Sequence, residues 1–156
     1  MPRSAPRPGP SRSGRPDGLS AEPEALFVYG TLQFPDVLKA LIGRVPGLEP
    51  AALAGWRAAA LPGRIYPGLV SAAGTVHGVL LSGLTLAEWR ILDAFEGPEY
   101  DRRPVLLLDG RSAWVYVYSL EAEVGDDDWS SAAFVARHLP AYVERCADWR
   151  TRRGRC

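Results

Sequence analysis

The sequence has few of the residues on which much enzyme chemistry depends. It contains two cysteines, two histidines and one methionine in 156 residues. Cys146 and Cys156 stand late in the chain and form no disulfide framework, which fits a protein of the reducing cytoplasm. Neither His77 nor His138 belongs to a Cys/His cluster, so metal chemistry is not expected. No serine sits on a G-x-S-x-G turn, and no glycine loop has the spacing of a phosphate cradle. Apolar runs fall short of the roughly 18 residues of a membrane span, and the N-terminus lacks the apolar core of a signal peptide. The formal net charge is zero, which removes any general attraction to nucleic acid or to a membrane surface. Lys39 is the only lysine; the basic side is otherwise arginine, which reads as a composition bias rather than a binding device.

Residues 1 to about 23 are rich in Pro, Gly, Ser and Arg and nearly free of large apolar side chains. They cannot offset the entropy of ordering and read as a disordered tail. A single domain is expected over 24–120, with a helical extension over 121–156. Arginines gather at both ends: Arg3, Arg7, Arg12 and Arg15, then Arg150, Arg152, Arg153 and Arg155. They read as solvated, the alternative being an interaction protein that works through those ends.

Within the domain, Leu26 to Tyr29 has the composition of a buried strand. Pro35 to Ile42 has helical spacing, with proline in the first turn and Gly43 at the stop. A strand is expected over Ala51–Leu61, a short extended piece broken by Pro67 over Gly63–Val70, and another strand over Gly74–Leu81. Thr85-Leu86-Ala87-Glu88 is a capping box, after which Leu86, Trp89, Leu92 and Phe95 share a helical face until Gly97-Pro98. Tyr100–Leu108 and Ala113–Tyr118 flank Asp109-Gly110, a hairpin signal. Ser130 to about Arg150 reads as an amphipathic helix interrupted at Pro140. About six strands and two or three helices imply a small α+β fold around a curved or barrel-like sheet.

Two stretches carry candidate chemistry. Phe27-Val28-Tyr29-Gly30-Thr31-Leu32 is a strand running into a tight turn, where backbone N–H groups and the Thr31 hydroxyl are available to an anion. The plainer reading is an ordinary strand-to-helix turn that needs Gly30 for its backbone. Leu92-Asp93-Ala94-Phe95-Glu96-Gly97-Pro98-Glu99-Tyr100 places Glu96 in the last turn of a helix. There the negative end of the helix dipole raises a carboxyl's proton affinity, as a general base near neutral pH requires. A solvated helix-end glutamate is the alternative, and spacing alone does not separate Glu96 from Asp93 or Glu99. Asp93 also has a structural option, an ion pair with Arg102 or Arg103.

Taken in order, Val28-Tyr29-Gly30-Thr31-Leu32, Gly63-Arg64-Ile65-Tyr66-Pro67 and Leu92 through Arg102 resemble the gamma-glutamylcyclotransferase family, most nearly its plant avirulence-induced (AIG2-like) branch. The resemblance covers about residues 26–119. It implies a small mixed β-barrel with flanking helices and a central cavity. It further implies that Tyr29, Gly30, Thr31, Leu32, Gln33 and Phe34 form the substrate loop, that Glu96 is the proton acceptor, and that Tyr100 and one of Tyr116 and Tyr118, here Tyr116, line the cavity. The reaction implied is cyclisation of a small γ-glutamyl substrate to 5-oxoproline without a cofactor. Family members acting on free γ-glutamyl amino acids carry asparagine after the loop hydroxyl residue; Leu32 stands there in this chain, so that specificity does not carry over. A non-catalytic module binding a small carboxylate on the same fold is the alternative.

Overall fold

The computed structural model describes residues 24–120 and 124–154. The expected disordered tail, the early arginines and Cys156 lie outside the described residues. Strands β1 (Leu26–Val28), β2 (Gly47–Ala60), β3 (Pro67–Ser82), β4 (Tyr100–Leu106) and β5 (Ser112–Tyr118) form one sheet in the order β2-β3-β1-β5-β4. β1 runs parallel to β5; the remaining neighbours are antiparallel. Helix α1 spans Pro35–Ile42, α2 Leu86–Glu96, α3 Ser131–Arg137 and α4 Leu139–Gly154, and a 3-10 turn occupies Thr31–Gln33.

The expected α+β class holds, with five strands among the described residues rather than about six and a sheet that is not closed into a barrel. β2 and β4 remain its edges. A hydrogen bond from the Leu108 N–H to the Ala52 carbonyl (3.0 Å) reaches across from the β4–β5 hairpin to β2. What curls the sheet is the β2–β3 hairpin. Between the pairs Ala54–Thr75 and Trp56–Ser71 its register slips, so that residues 72–74 face Gly55 alone. Gly55 and Gly74 take the positive φ values (89° and 131°) that this bulge demands. The same bulge explains why the sequence reads as two pieces: it breaks the period of β3, which is one strand beginning at Pro67.

The central strand β1 is buried throughout, and its alternation divides the interior into two cores. Leu26 and Val28 face α1, α2 and α4, joining Val37, Leu38, Leu41, Leu92, Phe134 and Cys146. Phe27 and Tyr29 face the inside of the curl, among Leu53, Leu69, Val76, Val115 and Val117. Wholly buried aliphatic side chains such as Leu38 and Leu41 each contribute roughly 1.5–3 kcal/mol. Gly78 passes so close to β1 that a Cβ there would collide with the Val28 carbonyl and the Phe27 ring.

The two helices that frame the site start and stop where local chemistry dictates. Pro35 opens α1, and Gly43, at φ 79°, closes it with its N–H on the Lys39 carbonyl. At α2 the capping box forms reciprocally: the Glu88 N–H donates to Thr85 Oγ1 (3.1 Å) and the Thr85 N–H to Glu88 Oε1 (2.9 Å). Arg44 then grips both Glu88 oxygens at 2.6 Å, which holds the Glu88 carboxyl below its usual range and ties α2 to the segment after α1. The C-terminal helix breaks at His138, with Pro140 in the first turn of α4. α4 packs on α1, and Phe134, Tyr142 and Cys146 enter the same core as β1. None of the helices among the described residues is long and apolar enough to cross a membrane.

Candidate active site

A cavity of about 350 Å³ opens beyond the carboxyl ends of the parallel pair β1 and β5, where this kind of topology leaves a crevice. At the small end of ligand pockets, which span roughly 300–1,000 Å³, it suits a substrate of modest size. Three structural routes converge on it. β1 delivers Tyr29 and the turn Gly30–Leu32, α2 delivers Phe95 and Glu96 at its C-terminus, and the β4–β5 hairpin delivers Tyr100 and Tyr116.

The turn approaches closely. A Cβ on Gly30 would lie 2.7 Å from Pro67 Cγ, so only glycine lets the loop sit against the start of β3. The first bond of the 3-10 turn runs from the Gln33 N–H to the Gly30 carbonyl (3.2 Å). The N–H groups of Thr31 and Leu32 precede it and have no acceptor within the turn. The Thr31 hydroxyl donates to the Tyr142 hydroxyl (3.3 Å). Leu32 sends its side chain into the core and offers only its backbone to the cavity.

Glu96 is the acid of the cavity. It makes no hydrogen bond or ion pair among the described residues, is half-buried, and lines the cavity. Burial, and then the neighbouring charge of Asp93, push its carboxyl up to about 8. The acidic neighbours that sequence could not separate from it are otherwise engaged. Asp93 Oδ1 accepts the Tyr116 hydroxyl (2.7 Å), and Oδ2 meets Arg102 at 3.2 Å, the ion pair expected from the sequence. Arg102 is itself sandwiched between Trp89 and Trp114, 4.7 and 4.9 Å from the ring centres. Glu99 also lines the cavity, but Arg64 holds it at 2.6 Å.

The tyrosines are fixed as donors. Tyr29 donates to the Tyr116 carbonyl and Tyr100 to the Pro67 carbonyl, both at 2.7 Å. Burial raises the ionisation of Tyr29, Tyr100, Tyr116 and Tyr142 well above that of a free phenol, so all four stay neutral. Tyr118 stands behind the wall, packed edge-on against Tyr100 at 5.4 Å. Cys146 is buried with its thiol pushed up to about 12, which leaves it unreactive.

Of the residues expected from sequence, Tyr29, Gly30, Thr31, Leu32, Glu96, Tyr100 and Tyr116 meet at this cavity. Gln33 and Phe34 do not. Gln33 turns toward a separate groove beside Trp56 and donates to the Tyr29 carbonyl (3.0 Å). Phe34 stacks on Phe134, with ring centres 5.5 Å apart. With about three residues per turn, a 3-10 segment aims successive side chains in different directions, so a contiguous motif does not share one face. Sequence reasoning missed the outer wall: Tyr142, Arg145, Trp149 and Arg152, all on α4. Their spacing of three, four and three residues was the available signal. Arg152, read above as part of a solvated tail, lies at the cavity mouth. Among the described residues, no group of three or more His, Cys, Asp or Glu side chains gathers to hold a metal ion.

An α+β fold with a curled sheet, a glycine-anchored loop and an unpaired carboxyl facing it define a protein of the gamma-glutamylcyclotransferase-like class. The sequence profile described as "Gamma-glutamyl cyclotransferase, AIG2-like" matches residues 26–132, and the chain belongs to that family. It is 46% identical over 81 residues to AIG2-like protein C of Arabidopsis thaliana, a match covering 51% of this chain and 47% of that protein. The chain thus spans about half the length of that relative. The solution structure of another Arabidopsis thaliana protein superposes with a TM-score of 0.59 at 32% identity, covering 78% of this chain and 87% of that one. A solved gamma-glutamyl cyclotransferase shares the fold at TM-score 0.53 and 15% identity, covering 80% of this chain and 86% of that one.

Proposed function

We propose that the protein is a cytoplasmic γ-glutamyl cyclotransferase that converts a γ-glutamyl amine or peptide into 5-oxoproline and the free amine, by acyl transfer to the substrate's own nitrogen. The observation that carries this reading is Glu96: a carboxyl that lines a small cavity together with the Gly30–Leu32 turn, with no hydrogen-bond or ion-pair partner among the described residues. The N–H groups of Thr31 and Leu32 would hold the substrate's α-carboxylate. Glu96, as carboxylate, would take a proton from the α-ammonium. The freed amine would then attack the γ-carbonyl carbon, forming the ring C–N bond. The ring nitrogen sheds a second proton as the lactam forms, and the original amide C–N bond breaks; the departing nitrogen takes up both protons and leaves as an ammonium, a balanced reaction that consumes no water. Ring closure within one molecule needs mainly correct folding of the substrate chain, which the tyrosine walls can enforce.

A carboxyl held near pH 8 suits both directions of proton transfer at neutral pH. A non-catalytic carboxylate-binding module would have no use for it, and an ion-paired Glu96 would have favoured that alternative. The test is 5-oxoproline release, followed by mass spectrometry, from γ-glutamyl amines, γ-glutamyl dipeptides and glutathione. Product from the wild type and none from folded Glu96→Gln supports the reading. Absence of product across the panel sinks it.

A further inference from the structure

We propose that Tyr142 is a catalytic residue of the cavity, its hydroxyl donating a hydrogen bond to the oxygen of the substrate's γ-carbonyl as the amine adds to it. The proposal deepens the cyclotransferase reading and rests on it. Attack by the amine moves the C=O electron pair onto oxygen, and collapse of the adduct returns that pair to carbon and expels the departing nitrogen. The oxyanion in between is stabilised by a fixed donor. A hydrogen bond suffices, so Tyr142 neither gains nor loses a proton. In this reading the turn N–H groups are taken up by the α-carboxylate, and Glu96 is accepting the ammonium proton. Three tyrosines of the cavity have committed their hydrogens elsewhere. Tyr29 donates to the Tyr116 carbonyl, Tyr100 to the Pro67 carbonyl and Tyr116 to Asp93, each at 2.7 Å. A phenol has one hydrogen, so toward the cavity these three can only accept.

Tyr142 differs. Its hydroxyl accepts from the Thr31 hydroxyl (3.3 Å), and two hydroxyls joined by one hydrogen bond leave one O–H over. That spare hydrogen is on Tyr142 and meets no acceptor among the described residues. The residue is only 4% exposed, yet it lines the cavity. Its ring packs edge-on against Phe134 at 5.3 Å and against Phe95 at 6.3 Å. Thr31 belongs to the substrate loop and Phe95 precedes Glu96, so Tyr142 bridges the two sides between which the substrate would bind. Arg145 lies over the same ring, 5.6 Å from its centre, and a cation there strengthens the O–H as a donor. Burial nonetheless keeps the phenol from ionising at neutral pH. Tyr66 is the other cavity tyrosine with an uncommitted hydroxyl, but no neighbour among the described residues holds that hydroxyl in place. Tyr142 lies beyond residue 132, where the family profile ends, and reaches the loop and the base only through the fold.

The test is Tyr142→Phe, which removes the hydroxyl and keeps the ring against Phe95 and Phe134, assayed with whichever γ-glutamyl substrate of the panel above is turned over fastest. With an unchanged far-ultraviolet spectrum, kcat should fall by about a hundredfold or more, the usual effect of losing one oxyanion donor. The ratio kcat/KM should fall equally, because the bond is made only in the transition state. Thr31→Val removes the hydroxyl that orients Tyr142 but leaves the phenol its hydrogen, so kcat should fall by less. Undiminished kcat in Tyr142→Phe overturns the proposal. So does a raised KM with kcat intact, which would place the hydroxyl on the α-carboxylate. A larger loss in Thr31→Val than in Tyr142→Phe overturns it too, by assigning the spare hydrogen to Thr31. If no substrate yields 5-oxoproline, the cyclotransferase reading fails separately, and calorimetric titration decides the donor. L-2-Amino-4-phosphonobutyrate carries a tetrahedral oxyanion where L-glutamate carries a planar carboxylate. Tighter binding of the phosphonate, with its advantage lost in Tyr142→Phe, supports the donor. A phosphonate that binds no tighter than glutamate, or an advantage that the variant keeps, refutes it.

Discussion

Replacing Glu96 by glutamine should stabilise the protein in alkali and do little in mild acid. Glu96 titrates near 8 in the folded chain against 4.5 for a free glutamyl side chain, so the folded state holds an extra proton between those two values. The native state then binds more protons than the unfolded one, and stability must fall as pH rises through that window, levelling off above it. At about 1.4 kcal/mol per pH unit the full difference would approach 5 kcal/mol. Because the carboxyl opens to a water-accessible cavity, about 2–3 kcal/mol is the more realistic share. Glutamine keeps the size and cannot ionise, so this loss is absent in the variant. Thermal unfolding followed by circular dichroism at pH 5, 6.5, 8 and 9 would show it. The two proteins should be similar at pH 5, and the variant should be higher-melting by roughly 5–10 °C at pH 9. Every other titrating group is common to both and cancels in the difference. A Tm difference that does not change between pH 5 and 9 would refute the argument, since it would mean that Glu96 ionises as it does in water.

The neighbouring carboxylate should tune the same titration. Asp93→Asn keeps an acceptor for the Tyr116 hydroxyl but removes a negative charge, so the rising limb of kcat/KM, expected near pH 8, should move toward acid; an unmoved limb would disprove the coupling. Thr85→Ala dismantles the capping box that starts the Glu96 helix and should cost about 1 kcal/mol in urea unfolding, a change below about 0.3 kcal/mol being inconsistent with the cap. Gly30→Ala drives a methyl against Pro67 and should lower kcat/KM at least tenfold with an unchanged far-ultraviolet spectrum; full activity would mean that the loop's close approach is unimportant.

What could be read from the sequence was what short-range chemistry decides. The limits of α1 follow from Pro35 and Gly43, and the start of α2 follows from Thr85 and Glu88, because caps act within one turn. The distance of Glu96 from Gly97 put it in the last turn of α2, but spacing did not separate it from Asp93 or Glu99, whose engagement by Arg102 and Arg64 depends on contacts made in space. β3 was not visible as one strand, since only its pairing with β2 carries it through the Gly74 bulge. Gln33 and Phe34 looked like site residues because the motif is contiguous, whereas the 3-10 turn points them elsewhere. The contribution of α4 lay further out of reach. The apolar spacing of Tyr142 and Trp149 announces a buried face, but which surface buries it depends on α1 and α2 meeting it in space.

The placement of α4 has an evolutionary consequence. The segment matching the family profile ends at residue 132, before α4 begins, yet α4 supplies one whole side of the cavity. The loop after β1 with the end of α2, and the outer wall of the cavity on α4, are therefore separate stretches of chain. Substitutions or length changes in the C-terminal helix can redraw the outer wall while the loop after β1 and the end of α2 stay as they are. In a scaffold divided in this way the last helix can vary without disturbing the rest of the cavity, and chimeras joined between α3 and α4 would test whether it does.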